Sequence, residues 1–502
     1  MKARALLILS AAVAIGLFSL ILMPWAQAAE VSSGVTTRIS VQSNGTQGNG
    51  SSAIPAISGN GLFVVFESDA ANLVTGDSNG NTDIFVRDLK AGTTSRVSVK
   101  SDGAQGNGDS YSPDISDDGR FVVFMSEADN LVAGDTNWAS DIFLHDRQTG
   151  TTSRVSLGPG GAQSEGWSES PVISGDGRFV AFMSDAPDFV ADDNNDVYDV
   201  FVRDLTAGVT SRVSVATNGA EGNSDSWYPS LSYDGRYVAF ESVADNLVTG
   251  DNGGFWDIFV HDRTEKKTSR VSVKTGGGQG AGDSYSAAIS SDGSAIAFES
   301  GASLVTGDTN NATDIFVHDR QAVTTSRVSV KTGGTQVSND SYAAAISADG
   351  RTVAFASLAN NLVGGDTNNA SDVFLHDRQT GETSRVSVNN AGTQGDLDSD
   401  APDLSSDGLL IVFSSYAKNL VANDTNNKAD IFLHSWGETV EPTPTETVSP
   451  TNTPTPTETA GPPTTPTPTE TAGPPITPTP TETPTPTPVV PTHWLYLPVS
   501  MK

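Results

Sequence analysis

The feature that most constrains this chain is a segment of about 58 residues that occurs seven times. The motif Thr-Ser-Arg-Val-Ser, or a close variant, places an arginine at Arg38, Arg96, Arg154, Arg212, Arg270, Arg327 and Arg385. A second motif begins with an aspartate at Asp83, Asp141, Asp199, Asp257, Asp314, Asp372 and Asp430. Both ladders step by 58 residues except for one step of 57. A repeat of this length is typical of solenoids, propellers and arrays, in which repeated residues build the scaffold and loops vary.

One repeat contains four short strands, as residues 111–157 illustrate. Residues 112–116 and 121–125 flank an Asp-Gly turn, which supports the positive φ of a tight hairpin. A long polar loop leads to residues 141–146, and a turn at residues 148–150 leads to residues 153–157. This last segment alternates apolar and polar residues, as a half-exposed outer strand does. Four strands per repeat, seven repeats and almost no helical periodicity predict an all-β, seven-bladed β-propeller of four-stranded blades.

The ends of the repeat region predict how the ring closes. Residues 37–41 form an outer strand with no blade before it, whereas the last blade ends at residue 434 without an outer strand. The N-terminal strand is therefore expected to complete the last blade. A ring closed in this way has no open sheet edge and needs no disulfide, in agreement with the absence of cysteine.

Two patterns that recur between residues 36 and 434 resemble those of a known family. They are represented by residues 234–240 (DGRYVAF) and 257–262 (DIFVHD). Both resemble the TolB-type, WD-like β-propeller repeats of secreted bacterial proteins. The resemblance implies a propeller fold and, because that family is mostly non-catalytic, no enzyme activity. The N-terminal domain of the TolB translocation protein has no counterpart here, so a role in that translocation system is not expected.

Regions outside the repeats have a different composition. Residues 1–29 are interpreted as a signal peptide, with Lys2 and Arg4 before an apolar run and a small-residue cleavage pattern at residues 26–28. The propeller is assigned to residues 30–436, a Pro/Thr-rich disordered stalk to residues 437–491 and a short apolar tail to residues 492–502. The tail is either a sticky end or a cell-surface attachment segment. The protein is expected to be secreted or displayed on the cell surface, monomeric, and without a membrane span after signal cleavage.

The formal net charge of -32 argues against nucleic-acid binding, because no basic stripe exists to neutralise phosphates. It favours cations or basic partners instead. Calcium is the predicted cation, because the loop before the third strand repeats an Asp-x-Asn-x-x-x-Asp pattern and hard cations prefer several oxygen ligands from a short loop. The predicted calcium ligands are Asp77, Asn79, Asp83, Asp135, Asn137, Asp141, Asp308, Asn310, Asp314, Asp366, Asn368, Asp372, Asp424, Asn426 and Asp430. The alternative is that these side chains cap backbone N–H groups at a turn without metal.

Aromatic residues give the clearest indication of binding. The predicted ligand-binding residues all lie on the face that carries the long loops, and they are Trp138, Trp167, Trp227, Trp256, Tyr111, Tyr285 and Tyr342. Exposed aromatic rings there would stack on sugars or anchor a protein. The alternative is packing between neighbouring loops, which is favoured for the tyrosines.

No catalytic residues are predicted, because the sequence has no nucleophile motif, zinc-protease motif or phosphate loop. The histidines His145, His261, His318, His376 and His434 share one repeat position and are interpreted as structural residues. An ion pair that stabilises the fold is expected between Asp88 and Arg96, which face each other across a hairpin. The predicted function is non-catalytic binding of a protein or polysaccharide through the long-loop face. The alternatives are a calcium-stabilised structural module and a polysaccharide-active enzyme.

Overall fold

A computed structural model describes residues 34–252 and 254–436. The predicted signal peptide, stalk and tail lie outside these residues. The described chain forms seven four-stranded antiparallel sheets, and the inner strands of consecutive sheets contact one another all round a ring. The prediction of a seven-bladed, all-β propeller is confirmed.

The strands follow one another in blade order. The first is β1 (Val35–Arg38). Blade 1 contains β2 (Ser52–Ile57), β3 (Phe63–Ser68), β4 (Asp83–Asp88) and β5 (Thr93–Arg96). Blade 2 contains β6 (Ser110–Ile115), β7 (Phe121–Ser126), β8 (Asp141–Asp146) and β9 (Thr151–Arg154). After a short 3₁₀ turn at Pro159–Gly161, blade 3 contains β10 (Ser168–Ile173), β11 (Phe179–Ser184), β12 (Asp199–Asp204) and β13 (Val209–Arg212).

The remaining blades repeat this order. Blade 4 contains β14 (Ser226–Leu231), β15 (Tyr237–Ser242), β16 (Asp257–Asp262) and β17 (Lys267–Arg270). Blade 5 contains β18 (Ser284–Ile289), β19 (Ala295–Ser300), β20 (Asp314–Asp319) and β21 (Thr324–Arg327). Blade 6 contains β22 (Ser341–Ile346), β23 (Thr352–Ser357), β24 (Asp372–Asp377) and β25 (Glu382–Arg385). Blade 7 contains β26 (Ser399–Leu404), β27 (Leu410–Ser415) and β28 (Asp430–Ser435), and β1 is its outer strand.

The hydrophobic core lies between the blades rather than within one of them. The second and third strands are apolar on both faces, so each blade buries side chains against both neighbours. At the interface of blades 1 and 2, for example, Val65 and Val86 pack in one cluster with Phe124 and Phe143. Because every interface depends on both flanking sheets, the propeller is stabilised as a complete ring.

The ring closes at blade 7 as predicted. β1 pairs antiparallel with β28, from Val35 opposite Ser435 to Arg38 opposite Phe432. Ile39 extends the pairing by donating its N–H to the carbonyl of Ile431 at 2.7 Å, and its side chain joins the core between blades 7 and 1. The prediction that the N-terminal strand completes the last blade is confirmed.

The two faces of the ring differ in their loops. On the long-loop face, the loop before the third strand and the loop after the outer strand pack together, and Asn79 donates its side-chain N–H to the carbonyl of Gly106. The plain face carries only tight turns, such as the one at Asp118 and Gly119. Gly119 has a φ of 73°, and a Cβ there would lie 2.0 Å from the Phe63 ring of blade 1, so glycine is required.

The central channel is narrowed at its plain-face end by a ring of seven backbone hydrogen bonds. Each bond joins the segment that follows one inner strand to the same segment of the next blade, at 3.0–3.1 Å. The donor and acceptor pairs are Asn60 with Asp117, Asp117 with Gly175, Asp176 with Tyr233, Tyr233 with Ser291, Ser291 with Ala348, Ala348 with Ser406, and Ser406 with Gly59. These bonds tie the plain-face ends of the seven inner strands to one another.

Candidate functional site

The two sequence ladders meet in every blade. The arginine of each outer strand inserts between the two aspartates of the predicted calcium loop, so that Arg96 Nη1 lies 3.1 Å from Asp77 and 2.9 Å from Asp83. The other arginine–aspartate sets are Arg38 with Asp424 and Asp430, Arg154 with Asp135 and Asp141, Arg212 with Asp193 and Asp199, Arg270 with Asp251 and Asp257, Arg327 with Asp308 and Asp314, and Arg385 with Asp366 and Asp372. The expected pairing of Arg96 with Asp88 is wrong, because Asp88 lies opposite Thr93 in the hairpin.

In blade 1, further atoms of this loop also have protein partners. The Ser98 hydroxyl donates to Asp83 Oδ1 at 2.5 Å, and the Asn79 side-chain N–H donates to Asp83 Oδ2 at 3.2 Å. Asn79 Oδ1 accepts the N–H of Asn81, as a turn-capping side chain does. The arginine guanidinium group thus supplies a positive charge at the position that the sequence predicted for calcium. These contacts support the capping alternative, and calcium binding stays a prediction.

Blade 3 departs from this pattern by one residue. Its Glu221 stands where the other six blades have glutamine, and it brings a third carboxylate to Arg212 at 2.7 Å. Asp193, Asp199 and Glu221 each present an oxygen within 4.8 Å of the others. Burial, together with the neighbouring Asp199 and Glu221, raises the pKa of Asp193 to about 6 despite the nearby arginine. This acidic group is the place where the described residues most closely approach a metal-ligand set.

The histidines connect neighbouring blades. His145 Nδ1 lies 2.9 Å from the Thr152 hydroxyl, which donates to the carbonyl of Val99 in the connection from the preceding blade. His261, His318, His376 and His434 make the same contact with a threonine, and all five rings are buried. Their interpretation as structural residues is confirmed.

Three predicted ligand-binding residues come together at the long-loop mouth of the channel. Trp227 is the second residue of inner strand β14, and Trp256 immediately precedes β16 of the same blade. Their ring centroids lie 4.3 Å apart. Tyr285, the second residue of β18 in the next blade, lies 6.3 Å from Trp256. We call these three residues, together with Tyr228, the mouth cluster.

Tyr228 extends the mouth cluster along the channel wall. It is the third residue of β14, 6.4 Å from the Trp227 ring and 41% exposed. Every inner strand has a β-bulge with positive φ at this position, but the other residues there are Ile54, Ser112, Ser170, Ser286, Ala343 and Ala401. The indole N–H of Trp227 is buried and has no hydrogen-bond partner among residues 34–252 and 254–436. Buried donors are normally paired, so this N–H is an exception among the buried polar groups of the inner strands.

Buried glutamates lie behind the mouth cluster. Glu241 accepts the bulge N–H of Ser286 at 2.9 Å, and Glu299 accepts that of Ala343 at 3.1 Å. Glu67 makes the equivalent bond to Ser112 at 3.0 Å. Burial raises the pKa of Glu67 to about 7, and burial together with Glu299 raises the pKa of Glu241 to about 8. These carboxyl groups hold the bulged inner strands of the next blade in place.

The other predicted ligand-binding residues lie elsewhere. Tyr111 packs against the core between blades 2 and 3. Tyr342 donates its hydroxyl to Asp400 at 2.7 Å, and burial, reinforced by Asp400, raises the pKa of Tyr342. Trp138 and Trp167 are exposed on the loops of blades 2 and 3, and no aromatic contact joins them to the mouth cluster among the described residues. Packing, the alternative favoured for the tyrosines, thus fits Tyr111 and Tyr342.

Sequence reasoning missed Glu67, Glu241 and Glu299. Each lies in a second strand that is otherwise apolar up to its final serine, as in FVVFES and YVAFES, whereas the equivalent residue of blades 2 and 3 is methionine. An acidic residue in such a strand is the signal that could have identified them, because a buried carboxyl requires a partner.

A pH titration tests the burial of Glu241. Its folded-state pKa of about 8 exceeds its ordinary value of 4.5, so the folded protein retains a proton that the unfolded chain releases. This contribution to stability is complete below about pH 4.5 and is lost as the pH rises through about 8. We expect Glu241→Gln to reduce the loss of unfolding free energy between about pH 5 and about pH 8.5 by on the order of 2 kcal/mol. Denaturant melts at both pH values measure it. Glu382→Gln, an exposed change, should not alter the profile; equal profiles for both variants would contradict the assignment.

Among the described residues, no helix has the length and apolar character needed to cross a membrane. No known protein family matches the chain, and no curated protein matches it in sequence.

Several solved structures resemble the chain in fold. An oligogalacturonate lyase in complex with manganese is 13% identical, with 81% of this chain and 94% of that chain covered and a TM-score of 0.49. TolB from Acinetobacter baumannii is 16% identical, with 65% and 63% covered and a TM-score of 0.37. An uncomplexed acylaminoacyl peptidase from Pyrococcus horikoshii is 14% identical, with 78% and 52% covered and a TM-score of 0.46. The predicted likeness to TolB-type propellers is confirmed, and at these identities the likeness shows the fold alone.

Proposed function

We propose that this chain is a non-catalytic binding protein that takes a polysaccharide into the long-loop mouth of its channel. The mouth cluster is the observation that carries the proposal. Trp227, Trp256 and Tyr285 come from two neighbouring blades and their rings lie next to one another, with Tyr228 exposed beside them. Rigid strands hold these residues, so little conformational entropy is lost when a ligand binds.

The chemistry of the mouth cluster suits a sugar chain. Flat aromatic faces offer apolar area to the C–H faces of a pyranose ring, and they do so with few rotatable bonds. The hydroxyl of the exposed Tyr228 would exchange hydrogen bonds with sugar hydroxyl groups.

The proposal includes an extracytoplasmic location. It is supported by the signal-like sequence at residues 1–29. The Pro/Thr-rich residues 437–491 would act as a spacer and residues 492–502 as an attachment segment.

Binding measurements on tryptophan variants test the proposal. We expect Trp227→Ala and Trp256→Ala each to weaken capture of the best ligand from a polysaccharide panel by about tenfold or more. Gln148→Ala, an exposed change on the plain face, is the matched control and should leave the affinity unchanged. Melting curves accompany each assay, because a variant that unfolds reports on packing. Folded Trp227 and Trp256 variants with unchanged affinity would contradict the proposal.

A polysaccharide-active enzyme is the second candidate. It is favoured by Glu241, whose carboxyl remains largely protonated at neutral pH and could act as a general acid near the mouth cluster. Against it, Glu241 is engaged by a backbone N–H in the same way as Glu67 in blade 1 and Glu299 in blade 5. Release of new reducing ends from the bound polysaccharide, abolished in Glu241→Gln, would establish the enzyme in place of the binding protein.

The third candidate is a calcium-stabilised structural module. The observation that favours it is the acidic group of Asp193, Asp199 and Glu221 in blade 3. A cation bound only by the folded state would raise stability by about 2.7 kcal/mol at a hundredfold excess over its Kd. A large calcium-dependent rise in Tm of the chelated protein, lost in Glu221→Gln, would support this candidate.

A further inference from the structure

Two exposed tryptophans replace the residues that the other repeats use, and both lie where blade 2 meets blade 3, which we call the seam. Trp138 lies in the loop before β8 of blade 2 and is 88% exposed. Trp167 lies just before β10 of blade 3 and is 37% exposed. We call the two residues the rim pair. Single exposed apolar side chains are common on protein surfaces, but two exposed tryptophans on neighbouring segments form a patch of the kind that marks interaction sites.

The backbone at Trp138 does not call for a tryptophan. Its φ is 58°, in the left-handed region that bulky side chains rarely adopt. The other six blades also have positive φ at this position, but they use Gly80, Asp196, Gly254, Asn311, Asn369 and Asn427. Blade 2 thus accepts an unfavourable conformation while leaving the indole in solvent. A role outside the fold explains that choice.

Trp167 also replaces a residue that serves the fold. Five other blades have aspartate at this position, and each carboxylate accepts the backbone N–H of the residue before the third strand of the preceding blade. The pairs are Asp109 with Thr82, Asp225 with Tyr198, Asp283 with Trp256, Asp340 with Thr313, and Asp398 with Ser371. An indole cannot accept this bond. At this one seam, two positions at which other blades have residues that suit the fold are therefore both occupied by exposed tryptophans.

The rim pair lies on adjacent, hydrogen-bonded segments. Gln163 donates its side-chain N–H to Asp135, and Asn137 donates to the carbonyl of Ser164. Ser168 then donates its N–H to the carbonyl of Ser140 at 3.0 Å. Residues 135–140 and 163–168 consequently run side by side, with one tryptophan on each.

The surroundings of the rim pair are acidic. Residues 127–140, 157–170 and 185–199, which form the loops of this seam and the next, contain no lysine, arginine or histidine. Asp135 and Asp193 pair with arginines of the outer strands, and the other acidic residues of these loops include Glu127, Asp129, Glu165, Asp185, Asp188, Asp192 and Asp196. This charge repels acidic ligands and attracts cationic ones. Indole is also the aromatic ring that best binds a cation through its face.

We propose that the rim pair is a second docking surface, and that it binds an arginine- or lysine-bearing segment of a partner protein. The cationic side chains would lie over the two indoles, with the surrounding carboxylates supplying long-range attraction. The surface is separate from the mouth cluster, so this inference is independent of the polysaccharide proposal.

The test is a titration of the full chain with an unstructured peptide of alternating arginine and glycine, followed by calorimetry and indole fluorescence. The decisive variant is Trp138→Asn, which installs the residue of blades 5, 6 and 7 and leaves the net charge unchanged. We expect about tenfold weaker binding of the peptide, because exposed tryptophans dominate such contacts. We also expect an unchanged or higher Tm, because asparagine tolerates positive φ.

Three further variants complete the design. Trp167→Asp should weaken binding even though it adds a negative charge, and Glu165→Gln should weaken it and reduce its salt dependence. Trp227→Ala, a change in the separate mouth cluster, should leave the affinity for the peptide unchanged. Equal peptide affinity for wild type and Trp138→Asn would overturn the proposal, because it would show attraction by net charge alone. Binding of a neutral polysaccharide that is lost in Trp138→Asn would overturn it in favour of an extended sugar-binding surface.

Discussion

Deleting residues 30–42 is expected to destabilise the entire propeller, not blade 7 alone. The deletion removes β1 and leaves the edge of β28 unpaired. It removes Ile39 from the core between blades 7 and 1, and it removes Arg38, whose guanidinium lies 3.2 Å from the fully buried Asp430. Breaking a buried ion pair from one side alone costs about 3–5 kcal/mol, so we expect Tm to fall by about 10 °C or more.

Calorimetry and size-exclusion chromatography measure this effect. A truncation of residues 30–33, which ends before β1, is the control and should leave Tm unchanged. The exposed strand edge should also promote association between copies. A monomeric deletion variant that melts at the wild-type temperature would show that β1 does not close the ring.

Asp141→Ala is expected to be the most damaging single substitution at the arginine–aspartate sets. Asp141 is fully buried and accepts bonds from Arg154 at 2.7 Å and from the Ser156 hydroxyl at 2.5 Å. Its removal leaves a largely buried guanidinium with Asp135 as its remaining ion-pair partner. It also leaves the Ser156 hydroxyl without the acceptor that Asp141 provides. We expect the free energy of unfolding to fall by about 3–5 kcal/mol, measured by denaturant melts in the presence of a chelator.

The comparison variant is Lys100→Ala. Lys100 pairs with Asp102 at 3.7 Å on the surface, where both side chains are exposed. Such pairs contribute about 0–1 kcal/mol, so the change should be close to neutral. Similar small losses for Asp141→Ala and Lys100→Ala would refute the view that the arginine–aspartate sets hold the blades together.

The sequence was sufficient to predict the fold because the repeat contains redundant information. Seven copies of an Asp-Gly or Asn-Gly turn, an apolar second strand and an apolar third strand indicate the same four-stranded unit. The orphan strand at residues 37–41 indicated closure, since the last repeat lacked that element. The ion-pair partners of the recurring arginines were harder to predict, because Arg96 is closer in sequence to Asp88 than to Asp77. The register of the hairpin, with Arg96 opposite Phe85, determines the correct pairing.

The site could be predicted only in part. Equivalent positions indicated that Trp227 and Tyr285 share a level in neighbouring blades, but not that Trp256 would lie between them. That contact depends on the bulge of each inner strand, which residue patterns do not reveal because serine, alanine, isoleucine and tyrosine all adopt it. Trp138 was grouped with the same ligand, whereas the ring places it on the loops of another blade. The distinction between a mouth cluster and a rim pair required the three-dimensional arrangement of the loops.

The most direct test of the proposed function is a crystal structure of the propeller with the tightest-binding oligosaccharide from the panel. We predict a sugar ring stacked on the Trp227 and Trp256 side chains, with the sugar chain entering from the long-loop face. A sugar bound on the plain face, or a mouth cluster that remains empty while the ligand occupies another blade, would contradict the account.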